Sequence, residues 1–113
     1  MHNLIETIEN LNFRTLFDAI ADAMLLTENA GHVVLANPAA QQLFDFKENE
    51  LIGLAIEMLI APRYRKQYRY YQMLFFNKPA KLPMGVGNEL IALNRCGQEM
   101  LLDVSFSPLE IQQ

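Results

Sequence analysis

Gly31-His32-Val33-Val34-Leu35-Ala36-Asn37-Pro38-Ala39-Ala40-Gln41-Gln42-Leu43-Phe44 is the stretch whose reading decides the fold. Gly31 can take a positive φ and leads into mostly β-branched or long apolar residues that suit a buried strand. Asn37-Pro38 stops that strand and starts a helix: the asparagine side chain can accept from an orphan amide, and the proline supplies a preset φ where no N–H is needed. Leu43 and Phe44 anchor the far end of this short helix.

Upstream, Met24-Leu25-Leu26-Thr27 reads as a short strand and Glu28-Asn29-Ala30-Gly31 as turn chemistry, so these residues form a hairpin with the strand at 32–36. The segment before it carries two apolar stripes. Leu4, Ile8 and Leu11 share one helical face, and Phe13, Leu16, Phe17 and Ile20 lie on roughly the opposite one. Either the helix breaks near Asn10-Leu11-Asn12 with Asn12 capping a second helix, or one long helix offers its faces to two partners. The favoured reading packs the second group on the domain's own sheet and the first on another chain. The alternative is two short helices folded back on one core.

Downstream, Lys47-Glu48-Asn49-Glu50-Leu51-Ile52-Gly53 reads as a single helical turn ended by glycine at C′. Leu54–Ile60 is apolar and fits either type of element. A helix is expected from Pro62 to Phe76, with Tyr64, Tyr68, Tyr71 and Phe75 as an aromatic stripe and Arg63, Arg65, Lys66 and Arg69 as a solvated basic face. Residues 77–87, with two prolines and two glycines, form a connector. Leu90–Asn94 then runs through the turn Arg95-Cys96-Gly97 into Gln98–Ser107, where Met100, Leu102, Val104 and Phe106 alternate with Leu101, Asp103, Ser105 and Ser107 before Pro108. This order of elements indicates an α+β domain with an antiparallel sheet.

Composition bounds the function. At 113 residues, 51% hydrophobic and 19% charged, the chain suits one compact domain. No apolar run approaches the roughly 20 residues of a membrane span, and the polar start His2-Asn3-Leu4-Ile5-Glu6 is not a secretory leader, so the cytoplasm is the expected location. A net charge of −4 argues against nucleic acid as a partner. One cysteine, Cys96, excludes an internal disulfide and a multi-cysteine metal site. Catalysis has little support. Ser105 and Ser107 lie on a regular strand with no nucleophile elbow, and Gly85 and Gly87 lack the rest of a phosphate loop. Glu48 and Glu50 are expected to diverge and stay solvated. No catalytic or metal residue is assigned.

Across Phe17–Glu110 the chain resembles a PAS sensory domain. The residues that carry the likeness are Asp22-Ala23-Met24-Leu25-Leu26, Gly31–Ala40, Glu50-Leu51-Ile52-Gly53, Pro83-Met84-Gly85, and Asn94-Arg95-Cys96-Gly97 leading into Ser105-Phe106-Ser107-Pro108-Leu109. The family often has aspartate where Cys96 stands. The resemblance implies a five-stranded antiparallel sheet with short helices on one face, preceded here by an N-terminal amphipathic helix. It divides the chain into a helical dimerisation flank, 1–16, and a PAS body, 17–113. The family's last strand follows Leu109 and normally lies mid-sheet, so this chain reads as a fragment of a longer signalling protein in which the neighbouring strands close up or a partner chain covers the edge.

The resemblance further implies a pocket between the sheet and the helix at 62–76, walled by Tyr68, Tyr71, Phe75, Leu90, Ala92, Leu102, Val104 and Phe106, with Asn94 as a polar handle for a small apolar or metabolite ligand. Histidine-ligated haem does not fit, since His2 and His32 are the only histidines and neither is on the long helix; a cysteinyl–flavin adduct does not fit either, since Cys96 is in a turn. The cofactor is left unassigned. The expected function is a cytoplasmic sensory module, homodimeric through Leu4, Ile8 and Leu11, that governs a histidine kinase or diguanylate cyclase output domain in the same polypeptide. The alternative is a purely structural protein–protein interaction module with a filled core.

Overall fold

A computed structural model describes residues 4–9, 12–77, 89–104 and 107. The chain packs as two compact units, residues 1–54 and 55–113.

In the first unit the helix does break: α1 spans Leu4–Glu9 and α2 spans Phe13–Ala19. Asn12 caps α2, its Oδ1 accepting from the Thr15 amide at 2.8 Å. The hairpin follows as β1 (Leu25–Thr27) and β2 (Val33–Ala36), antiparallel, with an irregularity between Leu26 and Thr27. Gly31 holds φ 89°, a left-handed conformation that its place at the end of the turn requires. Helix α3 (Pro38–Phe44) has Pro38 in its first turn and ends at Asp45 in the left-handed region. Helix α4 (Glu48–Leu51) is one turn, in which the Glu50 carboxylate accepts from the Lys47 amide at 2.9 Å. Phe17, Val33, Ala36, Ala40, Phe44 and Leu51 fill the interior of this unit.

The outer rim of β2 is already occupied. Leu54 O accepts from Val33 N, Val33 O accepts from Gly53 N, and the Ala36 amide and carbonyl are met by the Glu48 and Gln41 side chains. Gly53 and Leu54, which follow the helical turn α4, thus run along β2 without forming a named strand.

The second unit differs from expectation at its start. Pro62–Tyr64 forms a 3₁₀ turn, and the α-helix α5 runs Arg65–Asn77. Ile56–Leu59, ambiguous in sequence, is a second 3₁₀ segment. The other hairpin is β3 (Glu89–Leu93) with β4 (Glu99–Asp103), pairing Leu90 with Leu102 and Ala92 with Met100. The rim of β3 is also taken: Ala61 N donates to Ile91 O at 2.8 Å, and Ile60 bridges to Ala92.

The described strands thus form two two-stranded antiparallel sheets. The family's fifth strand, expected after Leu109, falls outside the described residues, as do most of the connector at 77–87 and the Ser105-Phe106 end of the returning strand. One expectation is corrected. Of the second apolar stripe only Phe17 is buried, while Phe13, Leu16 and Ile20 stay 53%, 52% and 37% exposed. A seven-residue helix gives one side to its unit, and these three point elsewhere.

Candidate functional site

In the second unit the buried cluster is built from Ile60, Tyr68 and Leu90, with Ile56, Tyr64, Tyr71 and Val104 packed against it. Four expected pocket residues therefore meet: Tyr68 and Tyr71 from α5, Leu90 from β3 and Val104 just beyond β4. Ala92 is fully buried on the same strand as Leu90, Leu102 is half-buried opposite Leu90, and Phe75 is half-buried near the end of α5. Phe106 lies outside the described residues. Burial pushes the Tyr68 phenol up to about 12, reinforced by the negative charge of Glu57. The phenol is therefore neutral at any physiological pH. Tyr71 packs against the same cluster, and its hydroxyl accepts from Gln67 Nε2 at 3.1 Å.

Asn94 has a different occupation. Its Oδ1 accepts from the amides of Cys96 and Gln98, each at 2.9 Å, and its Nδ2 donates to Gln98 Oε1 at 2.9 Å. These bonds shape the β3–β4 turn. Three of the four basic residues at 63–69 are likewise engaged: Arg63, in the 3₁₀ turn before α5, forms a two-pronged pair with Glu99 at 2.6 and 2.7 Å, Arg69 donates to Glu57 at 2.7 Å, and Arg65 Nε donates to Ile60 O at 3.1 Å. Arg63 holds the Glu99 carboxyl below its ordinary range.

The sequence singled out Tyr68 and Leu90 but missed Ile60 and Ile56. Their signal was present in the apolar run at 54–60, whose type periodicity could not decide.

The first unit contains a polar corner that sequence reasoning placed only in part. Asn37 is fully buried, yet its side chain has four bonds: Oδ1 accepts from Met24 N at 2.9 Å and Ala40 N at 3.0 Å, and Nδ2 donates to Ile20 O at 3.2 Å and Asp22 O at 2.8 Å. Beside it, Glu48 is only partly solvated, where full solvation was expected. Its Oε1 accepts from Arg14 Nη2 at 2.7 Å and its Oε2 from Ala36 N at 3.0 Å. Arg14 also donates to Asp18 at 3.0 Å and lies over the Phe17 ring at 5.7 Å. The Arg14 guanidinium, desolvation notwithstanding, holds the Glu48 carboxyl below its ordinary range, helped by the Ala36 amide. An open surface cleft lined by Ala21–Ala23, Ala39, Gln42 and Leu43 lies in this unit and shares no residue with the expected pocket.

Of the expected interface residues, Leu4 is 73% exposed on α1; Ile8 belongs to α1, its side chain not described, and Leu11 is outside the described residues. Among the described residues no group of three or more His, Cys, Asp or Glu could hold a metal ion, and no helix is long and apolar enough to cross a membrane.

The family model of the PAS domain matches residues 11–80. The chain belongs to the PAS domain family. Solved PAS structures share its fold. A domain of the sensory box sensor histidine kinase/response regulator from Geobacter sulfurreducens is 19% identical, with 96% of this chain and 89% of that one covered and a TM-score of 0.70. The PAS domain of the fruit-fly ELK potassium channel is 14% identical, with 97% and 86% covered and a TM-score of 0.68. The PAS domain of a LuxR-family transcriptional regulator from Burkholderia thailandensis, in complex with ethanol, is 13% identical, with 80% and 77% covered and a TM-score of 0.64. No curated protein matches the chain. A kinase, a channel and a transcriptional regulator on one PAS fold mean that the fold does not name the output.

Proposed function

We propose that this PAS domain is a cytoplasmic sensory module whose aromatic cluster accepts a small apolar or metabolite ligand, and which governs a histidine kinase or diguanylate cyclase output domain in the same polypeptide. The observation that carries the reading is the convergence of Tyr68, Tyr71, Leu90 and Val104 on one cluster between α5 and the β3–β4 hairpin. Phe75, Ala92, Leu102 and Phe106 complete the proposed wall. Tyr71, rather than the turn-bound Asn94, is the better polar handle, because Tyr71 packs against the cluster whereas the Asn94 side chain is spent on the β3–β4 turn. The ethanol complex of the LuxR-family neighbour supports a ligand of this size. The module acts by altering the packing of helix on hairpin and so the orientation of segments that leave the domain.

The module is a homodimer in this reading, with residues 1–16 as a dimerising flank and 17–113 as the sensory body. The exposed Leu4 and Ile5 on α1 support it. The boundary falls inside α2, so the flank and body share one helix.

Thermal unfolding against a library of small alcohols and cellular metabolites tests the sensing claim. A binder at a hundred times its Kd adds about 2.7 kcal/mol, and its effect is expected to vanish in Leu90→Trp, which fills the cluster. A library without a stabilising compound, with purified protein of clean mass in native mass spectrometry, would favour the interaction module instead.

A further inference from the structure

Helix α2 is fastened at both of its ends by different chemistry, at its exit to the β2–α3 corner and at its first turn to α4. At its exit the carbonyls of Ile20 and Asp22 are held by the Asn37 amide group, which is neutral, fully buried and bonded at all four positions. At its first turn Arg14 reaches Glu48, a residue 34 positions away, through partly exposed charged groups at 2.7 Å. The second oxygen of the same carboxylate receives the amide of Ala36, the residue before Asn37. Between the two fastenings Phe17 is buried, stacked on Phe13 at 5.4 Å.

The two attachments differ in how readily they let go. Releasing Asn37 would strand buried polar groups, whereas releasing Arg14 from Glu48 returns two partly hydrated charges to water. We propose that α2 is a hinged lever: Asn37 is its fixed pivot, and the Arg14–Glu48 pair is a releasable latch whose state is transmitted through Glu48 to the Ala36 amide on the rim of β2. Opening the latch frees the first turn of α2, which carries the exposed Phe13 and Leu16, while Phe17 and the pivot stay in place. A partner that grips that turn therefore alters the end of β2, and a change at β2 alters how Phe13 and Leu16 are presented. This coupling is a property of the first unit and holds whether or not the second unit binds a ligand.

Residue-resolved hydrogen exchange on the 113-residue chain tests it, with the Ala61 amide, bonded to Ile91 O, as an internal control for global unfolding. Arg14→Met keeps the aliphatic stem and removes the charge. It is expected to raise exchange of the Ala36 amide, which Arg14 does not touch, by about fivefold, the scale of one partly exposed ion pair, with Ala61 unchanged. Glu48→Gln is expected to raise exchange of the Leu16 amide, bonded to Asn12 O in the first turn of α2, by a similar factor, and the double variant is expected to exchange no faster than the worse single one. Ala36 exchange unchanged in Arg14→Met, or additive effects in the double variant, overturns the latch. Should Ala61 also quicken in Arg14→Met, Arg14→Lys decides: it keeps the charge and loses the fork, and a smaller rise confined to Ala36 and α2 supports the coupling, while no rise at Ala36 refutes it.

Discussion

Asn37 concentrates the corner's polar bonding in a single side chain. Two donors and two acceptors are all used, so no isosteric change is neutral. Asn37→Asp keeps the oxygen that serves Met24 and Ala40 but turns a second oxygen toward two carbonyls. We expect it to cost about 3 kcal/mol in urea unfolding at pH 7, and less near pH 4, where a protonated carboxyl can donate to one of them. Equal losses at both pH values would contradict this account. Glu48 titrates the other way. Its folded carboxyl lies below its ordinary range, so the stability it adds is complete above the ordinary carboxylate pKa of about 4.3 and is lost as pH falls through the folded value. Urea midpoints measured from pH 7 to pH 3 should fall less steeply for Glu48→Gln than for the unmodified chain. Asn37 was recognisable as a helix cap because Asn-Pro is a local signal. Its bonds to Ile20 and Asp22, and the attachment of Glu48 to Arg14, depend on residues far along the chain that no spacing rule links.

Among the elements, β3 and β4 were the most readable, because alternation translates directly into faces. Leu102 and Val104 are half-buried while Leu101 and Asp103 face outward, as the period of two requires. Leu90→Ala, at a site 1% exposed, should cost 2–4 kcal/mol on the scale of about that size for buried leucines, whereas Leu101→Ala, 70% exposed, should cost about 0.5 kcal/mol or less in the same melts. The one-turn helix α4 was also legible from its glycine. Gly53 holds φ 91°, and a Cβ there would meet nothing within 4 Å, so Gly53→Ala isolates the backbone term. A loss of about 1 kcal/mol is expected, with Gly53→Asn milder. Less legible was the start of α5: Pro62 marks a helical beginning equally well for a 3₁₀ turn and an α-helix, and the Ala61–Ile91 bond and the Ile60–Ala92 bridge show that the chain is still following β3 just before it. The apolar stripe on α2 misled for a related reason. Periodicity reports that residues share a face, not that the face is covered.

For the whole molecule, the family was legible from the order of several weak motifs, whereas ligand and output were not. Packing and binding use the same aromatic and aliphatic side chains, as Tyr68 and Leu90 illustrate. The dimer proposal belongs at this scale. Leu4→Asp with Ile8→Asp should convert a dimer into monomers in light scattering, and an unchanged dimer would move the interface from α1 to the exposed Phe13 and Leu16 of α2.

The occupied rims of β2 and β3 give the architecture a direction. Gly53 and Leu54, with the Glu48 and Gln41 side chains, end-stop one hairpin, and Ile60 and Ala61 end-stop the other, in each case with residues that are not themselves in a named strand. A backbone that joins either hairpin beside β2 or β3 meets positions the chain already fills. An engineered strand or peptide graft aimed at β2 or β3 would therefore first have to displace hydrogen bonds that the chain already makes with itself.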